Sequence, residues 1–267
     1  MAHRKFHFVV MAAQRKGIVN PLAEAAGVSH KCLMPLAGKP LIEHTLSAIA
    51  ASDFVSKISV SIEDHEVLNE LPIVQDLIAE GRLRIVQSAD NLYDSVKAAL
   101  ENDADLPAVV TTADNVLLTP PTIEHFCSNV GGQDGAVAVV RKEVLLAKYP
   151  DGQRRFHKFQ DGEISNCNIY GLFTPEAVEV AQAFREGGQF AKYPQRVLKA
   201  FGLINLAAYR FAWFSVSDAM ARIGKRHGVN FGTVEMPFPE APIDVDNERT
   251  ARIAGEILSQ RQQEATI

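Results

Sequence analysis

The chain is short of cysteine, of tryptophan and of net charge, and each shortage closes off a class of function. Its three cysteines, Cys32, Cys127 and Cys167, are odd in number and far apart. They offer neither a disulfide framework nor a CxxC zinc pair, and reduced thiols in a cytoplasmic protein are the expectation. A net charge of -5 leaves no basic excess to displace counterions from a nucleic acid, so nucleic acid is not an expected partner. The eight histidines contain no HExxH and no close pair, which argues against a histidine zinc site. No GxxxxGK[ST] motif occurs, so a Walker phosphate loop is excluded. The first apolar run, Phe6 to Ala13, is too short for a membrane span or a signal-peptide core and reads as a β-strand. Internal repeats and low-complexity linkers are also lacking.

What is present is a core. Hydrophobic residues make up 47% of 267, enough for one large α/β domain or a domain with one sizeable insertion. Strands are expected at Phe6 to Ala13, Lys57 to Ile62, Arg82 to Gln87, Ala108 to Ala113 and Gly135 to Val140. Helices are expected between them at Leu41 to Ala51, His65 to Glu80, Tyr93 to Asn102 and Pro120 to Val130. Such alternation implies a Rossmann-like, mainly parallel sheet with helices on both faces. Ligands of these sheets gather at the carboxyl ends of the strands. The second half reads differently. Arg155 to Gln160 and Glu163 to Phe173 suggest a hairpin turning at Asp161-Gly162. Helices are expected at Pro175 to Arg185, over most of Tyr193 to Trp213 and at Val216 to Arg226. A strand at Thr233 to Met236 and a helix at Asn247 to Gln260 complete the chain. One domain over residues 1–267 is expected, with 141–232 as a substrate-side insertion.

Three features could carry chemistry. The loop from Gln14 to Lys31 follows a parallel strand, where backbone N–H groups can face phosphate, and it carries Arg15, Lys16 and Lys31. A solvated basic loop would look the same. Asp114 ends a hydrophobic strand, a suitable place for a Mg²⁺ ligand, though a cap or Asx turn uses the same residue type. Asp244 and Asp246 alternate with apolar residues and would point the same way on an extended segment. One of them could complete a metal site with Asp114, and Asp246 or Asn247 could cap the last helix.

The order of Val10-Met11-Ala12-Ala13-Gln14-Arg15 and Lys31-Cys32-Leu33-Met34-Pro35-Leu36-Ala37-Gly38-Lys39-Pro40-Leu41-Ile42 resembles the opening of the MobA-like and sugar-phosphate nucleotidyltransferases. Thr112-Ala113-Asp114-Asn115 is similar to their metal aspartate turn, and Asp244-Val245-Asp246-Asn247-Glu248 to their late DxD element. Asn91-Leu92-Tyr93-Asp94-Ser95-Val96 resembles the base-contacting helix start of the cytidylyltransferase branch. The resemblance implies a GT-A-like fold and a division of labour. Ala12, Ala13, Gln14, Arg15 and the nearby Gly17 would hold the triphosphate of a nucleoside triphosphate. Lys31 would neutralise its charge, and Asn91 and Ser95 would lie near the base. Mg²⁺ would be the cofactor, on Asp114 and Asp244 or Asp246. Gln14 stands where the family has a loop glycine.

On the acceptor side, Arg155 or Lys158 is expected to hold a phosphate and Asn168 to make a polar contact. A solvated hairpin edge would also carry such charge. Trp213, Phe201, Tyr209, Phe211 and Phe214 read as core or as contacts of a homodimer. The implied reaction is transfer of a nucleoside monophosphate, with CTP first and GTP next, onto a small phosphorylated acceptor. The competing readings are a GT-A glycosyltransferase acting on a nucleotide sugar and a catalytically silent nucleotide-binding protein.

Overall fold

A computed structural model of the protein describes residues 4–14, 20–101, 105–184 and 211–265. Arg15, Lys16, Gly17, Phe201, Tyr209 and nearly all of the helix expected over Tyr193 to Trp213 lie outside the described residues. The framework is an eight-stranded sheet. Its centre is β1 (Phe6–Met11), flanked in parallel by β4 (Val55–Ile62) and β6 (Ala108–Thr112). Beyond β4 lies β5 (Leu83–Gln87), again parallel. Beyond β6 come β9 (Gly162–Leu172), β7 (Gly135–Arg141) and the edge strand β10 (Phe231–Glu235). β9 runs antiparallel to both neighbours, and the short β8 (His157–Phe159) pairs with it. The chain steps from β1 to β4 and β5 on one side, then returns to β6 on the other. That reversal leaves a crevice above β1, the usual ligand position in an open α/β sheet.

Helices cover both faces, as the alternating pattern requires. α2 (Leu41–Ala50) packs on one face, and its Leu41, Ile42, Leu46 and Ile49 are fully buried. α4 (Leu92–Leu100) and α7 (Pro175–Val180) cover the other, where Val96, Ala99, Leu100 and Ala177 meet Val9, Val110 and Leu172. The last helix, α9 (Glu248–Glu264), closes over Met34, Leu41, Val116 and Leu117 with Ile253, Ile257 and Leu258.

Several expectations shift for physical reasons. The helix expected over His65 to Glu80 is a 3₁₀ turn at Glu66–Leu68 followed by α3 (Pro72–Ala79). Pro72 disfavours helical backbone at the residue before it and suits a first helical position, so the helix restarts there. A helix at Lys142–Lys148, α6, follows β7 directly; Arg141 precedes it without a side-chain cap, and no cap signal announces it. The hairpin turns on Gln160 and Asp161, one residue earlier than expected, because Gly162 already pairs with Phe159. β9 falls within the 141–232 stretch yet is built into the main sheet between β6 and β7.

One glycine tests this packing. Gly224 lies inside α8 (Val216–His227), where alanine would ordinarily favour the helix by about 1 kcal/mol. A Cβ there would run into the Val229 carbonyl oxygen, just before β10, and sit 2.8 Å from the Phe231 nitrogen that opens it, both backbone atoms. Backbone cannot rotate out of the way, so overpacking wins. Gly224→Ala is expected to lower stability by about 1–3 kcal/mol, read as a lower urea midpoint. An unchanged or raised midpoint would contradict this close helix–strand contact.

Candidate active site

The site is assembled at the carboxyl ends of β1, β4 and β6. Beyond β1, the Ala12 N–H donates to the Ser61 carbonyl at 2.9 Å, continuing the ladder. Ala12 is buried and Ala13 exposed. The Gln14 N–H is taken by the Glu63 carboxylate, 3.3 and 3.2 Å from its two oxygens. The Gln14 side chain turns back to donate to the Ser29 carbonyl at 2.8 Å. His30 Nε2 lies 3.3 Å from the same Glu63 carboxylate. Glu63 and His30 were not singled out in the sequence. The available signal was a carboxylate placed immediately after a parallel strand, on the rim where ligands bind.

Lys31 opens a 3₁₀ turn, Lys31–Leu33, and the residues after it explain its placement. Pro35–Leu36 and Lys39–Pro40 form a small antiparallel hairpin, β2 and β3. Its two turn residues, Ala37 and Gly38, have φ of 47° and 83°. Positive φ at both positions is what a two-residue I′ hairpin turn needs, and glycine tolerates it at no steric cost. The Ala37 carbonyl accepts from Gln262 Nε2 at 2.9 Å, and the Leu36 carbonyl lies 2.8 Å from His44 Nε2. The conspicuous Lys31 to Ile42 block is therefore a clamp between α2 and α9 that aims Lys31 at the crevice. Cys32 within it is buried, and burial pushes its thiol up to about 12, so it packs rather than reacts.

Asp114 stands just past β6. The following Asn115 is buried and donates to Thr111 Oγ1 at 3.2 Å and to the Cys167 carbonyl at 3.1 Å, fixing the turn. The Asp114 carbonyl accepts the Val245 N–H at 3.2 Å. This bond, with the fully buried Val245 side chain, brings the late acidic segment to the site. That segment is not extended as expected. The Asp246 N–H bonds to the Asp244 carbonyl at 3.1 Å, so the chain curls between the two aspartates. Their carboxylates converge all the same. Asp114, Asp244 and Asp246 each offer an oxygen within 4.8 Å of the others. Asn247 then caps α9, forming a capping box with Thr250.

Lys31 Nζ makes a short ion pair with Asp114 Oδ2 and lies 3.3 Å from Asp246 Oδ1. Burial works to lower the Lys31 pKa, but Asp114, then Asp246 and Asp244, outweigh it and the net shift is upward, keeping the ammonium charged. Asp244 is shifted upward too, by burial first and then by the charges of Asp114 and Asp246, with Lys31 opposing. Its partner is Asn168, which donates from Nδ2 to Asp244 Oδ2 at 2.7 Å. Asn168 sits at φ 53° on β9, beside an irregularity in the β7–β9 register. Such bulges re-aim side chains.

Two observations show that these residues fit a divalent cation. Asp114 Oδ1 is buried with no hydrogen-bond partner. One ammonium also faces three carboxylates, and the charges of Asp114 and Asp246 add to burial in shifting Asp244 upward. Mg²⁺ typically takes one or two such carboxylates and completes its shell with water and phosphate oxygens.

The other expected residues are distributed as follows. Asn91 caps α4, accepting the Asp94 N–H at 3.0 Å. Ser95 is buried; its Oγ accepts the Ala89 N–H at 2.9 Å and donates to the Asn91 carbonyl at 2.8 Å, so it shapes the turn before α4. The structure thus brings Lys31, Asp114, Asp244, Asp246 and Asn168 together. Arg155 and Lys158 stand on the exposed β8 side, Lys158 3.9 Å from Glu163. Phe211 and Trp213 are not core; they are exposed and stacked, with ring centroids 5.6 Å apart.

A family profile, that of the MobA-like NTP transferase domain, matches residues 24–201. The chain belongs to that family. Lys31, Asp114 and Asn168 of this MobA-like nucleotidyltransferase fall inside the match, whereas Asp244 and Asp246 join the site through the fold. The domain is 37% identical over 92 residues to the 2-C-methyl-D-erythritol 4-phosphate cytidylyltransferase of Solibacter usitatus (strain Ellin6076), a stretch covering 33% of this chain and 37% of that protein. The match thus spans little more than a third of that curated relative. Among solved structures, a hypothetical transferase from Thermus thermophilus superposes with a TM-score of 0.75 at 21% identity, over 92% of this chain and 99% of the other. A CMP:2-keto-3-deoxy-manno-octonic acid synthetase complexed with CTP gives 0.58 at 12% identity, over 96% and 100%. The 4-diphosphocytidyl-2C-methyl-D-erythritol synthase of Anaerococcus prevotii DSM 20548 gives 0.56 at 10%, over 96% and 98%. At these identities the structures establish the shared GT-A-like fold. Among the described residues no helix is long and apolar enough to cross a membrane.

Proposed function

We propose that this MobA-like domain transfers a nucleoside monophosphate from a nucleoside triphosphate, CTP before GTP, to a small phosphorylated acceptor, with Mg²⁺ and release of pyrophosphate. The observation that carries the reading is the convergence of Lys31 with Asp114, Asp244 and Asp246 at the carboxyl ends of the strands. The preference for CTP rests on the 37% identity to a cytidylyltransferase over 92 residues. Buried, free thiols at Cys32, Cys127 and Cys167 support a cytoplasmic setting.

In this reading an acceptor phosphate oxygen attacks the α-phosphorus. A new P–O bond forms there, and the bond to the α–β bridging oxygen breaks. Pyrophosphate leaves with that electron pair, and no covalent enzyme intermediate is required. The protein contributes position and charge. Ala12, Ala13 and Gln14 line the triphosphate subsite, to which the family resemblance also assigns Arg15 and Gly17, and Lys31 neutralises charge developing on the leaving group. Asn91 and Ser95 shape the edge of the base subsite. Asp114, Asp244 and Asp246 would hold Mg²⁺, which supplies Lewis-acid neutralisation of phosphate charge when bound. Asn168 orients Asp244 and reaches toward the acceptor, with Arg155 and Lys158 for its phosphate.

The test is a panel of the four nucleoside triphosphates with Mg²⁺ and polyol, sugar or lipid-headgroup phosphates, read as pyrophosphate release and thermal shift. The preferred nucleotide at a hundred times its Kd should add about 2.7 kcal/mol of stability. Hydrolysis of a nucleotide sugar, with no pyrophosphate from any triphosphate, would replace this reading with a glycosyltransferase. Binding without turnover on any acceptor would make the protein a silent nucleotide binder.

A further inference from the structure

We infer that the Lys31 ammonium and the divalent cation compete for the same carboxylate oxygens, so that the triphosphate admits the metal by drawing Lys31 away. This rests on the metal reading given above. Lys31 Nζ is paired with Asp114 Oδ2 and lies 3.3 Å from Asp246 Oδ1, two of the three carboxylates that could hold a metal. The Lys31 and Asp114 side chains are only 18% and 16% exposed, so their charges meet with little solvent between them. A divalent ion on Asp114 and Asp246 would sit among the same oxygens as Nζ, and two cations cannot share them without repulsion. The ammonium is a single charge on a flexible four-carbon stem, whereas its backbone is held in the 3₁₀ turn ahead of the β2–β3 clamp. The side chain can therefore swing to a phosphate oxygen while its anchor stays fixed. Asp114 Oδ1, buried and without a partner, stays available throughout.

The consequence is linkage. Metal and triphosphate each bind better once the other is present, because only the triphosphate gives Lys31 a new anionic partner. By reciprocity, removing the Lys31 charge should release the metal from this dependence.

The test is Mn²⁺ titration followed by electron paramagnetic resonance, with no nucleotide added, on wild type, on Lys31→Met and on Lys31→Met combined with Asp114→Asn. Lys31→Met is expected to bind Mn²⁺ at least about tenfold more tightly than wild type, within the usual span of coupling between sites. The double variant is expected to lose that gain. Equal affinity in wild type and Lys31→Met, or a weaker one in the variant, overturns the inference while leaving the metal site standing. Failure of wild type and variant alike to bind Mn²⁺, even with CTP, overturns the metal reading and this inference with it. Should Lys31→Met not fold, Lys31→Gln takes its place. Wild type also gives a direct readout in the ¹⁵N resonance of the Lys31 side chain. That resonance should move as Mg²⁺ saturates the site; a resonance that stays put while the metal binds counts against competition.

Discussion

Replacing Asp114 with asparagine is expected to cut nucleotidyl transfer by at least about a hundredfold while the domain stays folded. The substitution keeps the shape and removes one charge. The turn does not depend on that charge, because Asn115 holds it through Thr111 and the Cys167 carbonyl. Nor does the approach of the late acidic segment, which hangs on the Asp114 carbonyl through the Val245 N–H. What is lost is the main ion-pair partner of Lys31 and one of the three carboxylates. Two effects on stability oppose each other. Lys31 loses attraction, whereas Asp244 is relieved of one of the charges pushing its carboxyl upward. The net change in stability should therefore be small beside the change in rate. Pyrophosphate release and urea unfolding measured on the same preparation separate the two. A rate within tenfold of wild type would remove Asp114 from the chemistry, and a collapsed urea midpoint would make it a structural residue.

The parts of the molecule legible in the sequence are those where a local rule and the global fold agree. The strands β1, β6 and β7 are mostly apolar runs between punctuating residues, β4 and β5 mix apolar with polar positions, and all five lie in the sheet. The Lys31 to Ile42 block is recognisable by its resemblance to the family pattern, and its Gly38 meets the positive φ that the hairpin turn needs. What the sequence hides is contact at long range. Nothing local says that β9 inserts antiparallel between β6 and β7, or that a register irregularity there turns Asn168 toward Asp244. Alternation alone put Asp244 and Asp246 on one side of an extended segment. They do converge, but through a curled backbone pinned to Asp114. Glu63 carries a local signal, its place just past β4, but its partner, the Gln14 N–H, is 49 residues away. Gln14, which departs from the family's loop glycine, is thus the residue whose N–H carries a carboxylate.

A second large effect is expected far from this chemistry, near the start of β1. Acidification from pH 6.5 to 4 should cost about 3 kcal/mol of stability through His7 alone. His7 is 2% exposed, and its Nε2 lies 2.8 Å from Ser59 Oγ. Ser59 also accepts from Arg84 Nε at 2.8 Å, so its hydroxyl hydrogen is free to point at the imidazole. Arg84 continues to Asp105 Oδ2 at 3.0 Å, and Lys57 pairs with the other Asp105 oxygen. Burial first, then the positive charge of Lys57, lowers the His7 pKa from 6.5 to about 4; Arg84 adds to this and Asp105 opposes it. The folded protein thus keeps His7 neutral where the unfolded chain would protonate it. Between those two values the unfolded state binds more protons, so stability is full above pH 6.5 and falls as the pH drops through the folded pKa. Asp244, with its carboxyl shifted upward, slopes the opposite way, because its protonated form is favoured in the fold. The comparison that isolates His7 is therefore wild type minus His7→Gln, which keeps a polar side chain and removes the titration. Urea unfolding at pH 7 and pH 4.5 should show wild type losing clearly more stability than the variant over that interval. Parallel profiles would mean that His7 is protonated in the folded protein, and that the Ser59–Arg84–Asp105 network accommodates a buried cation beside Arg84 and Lys57.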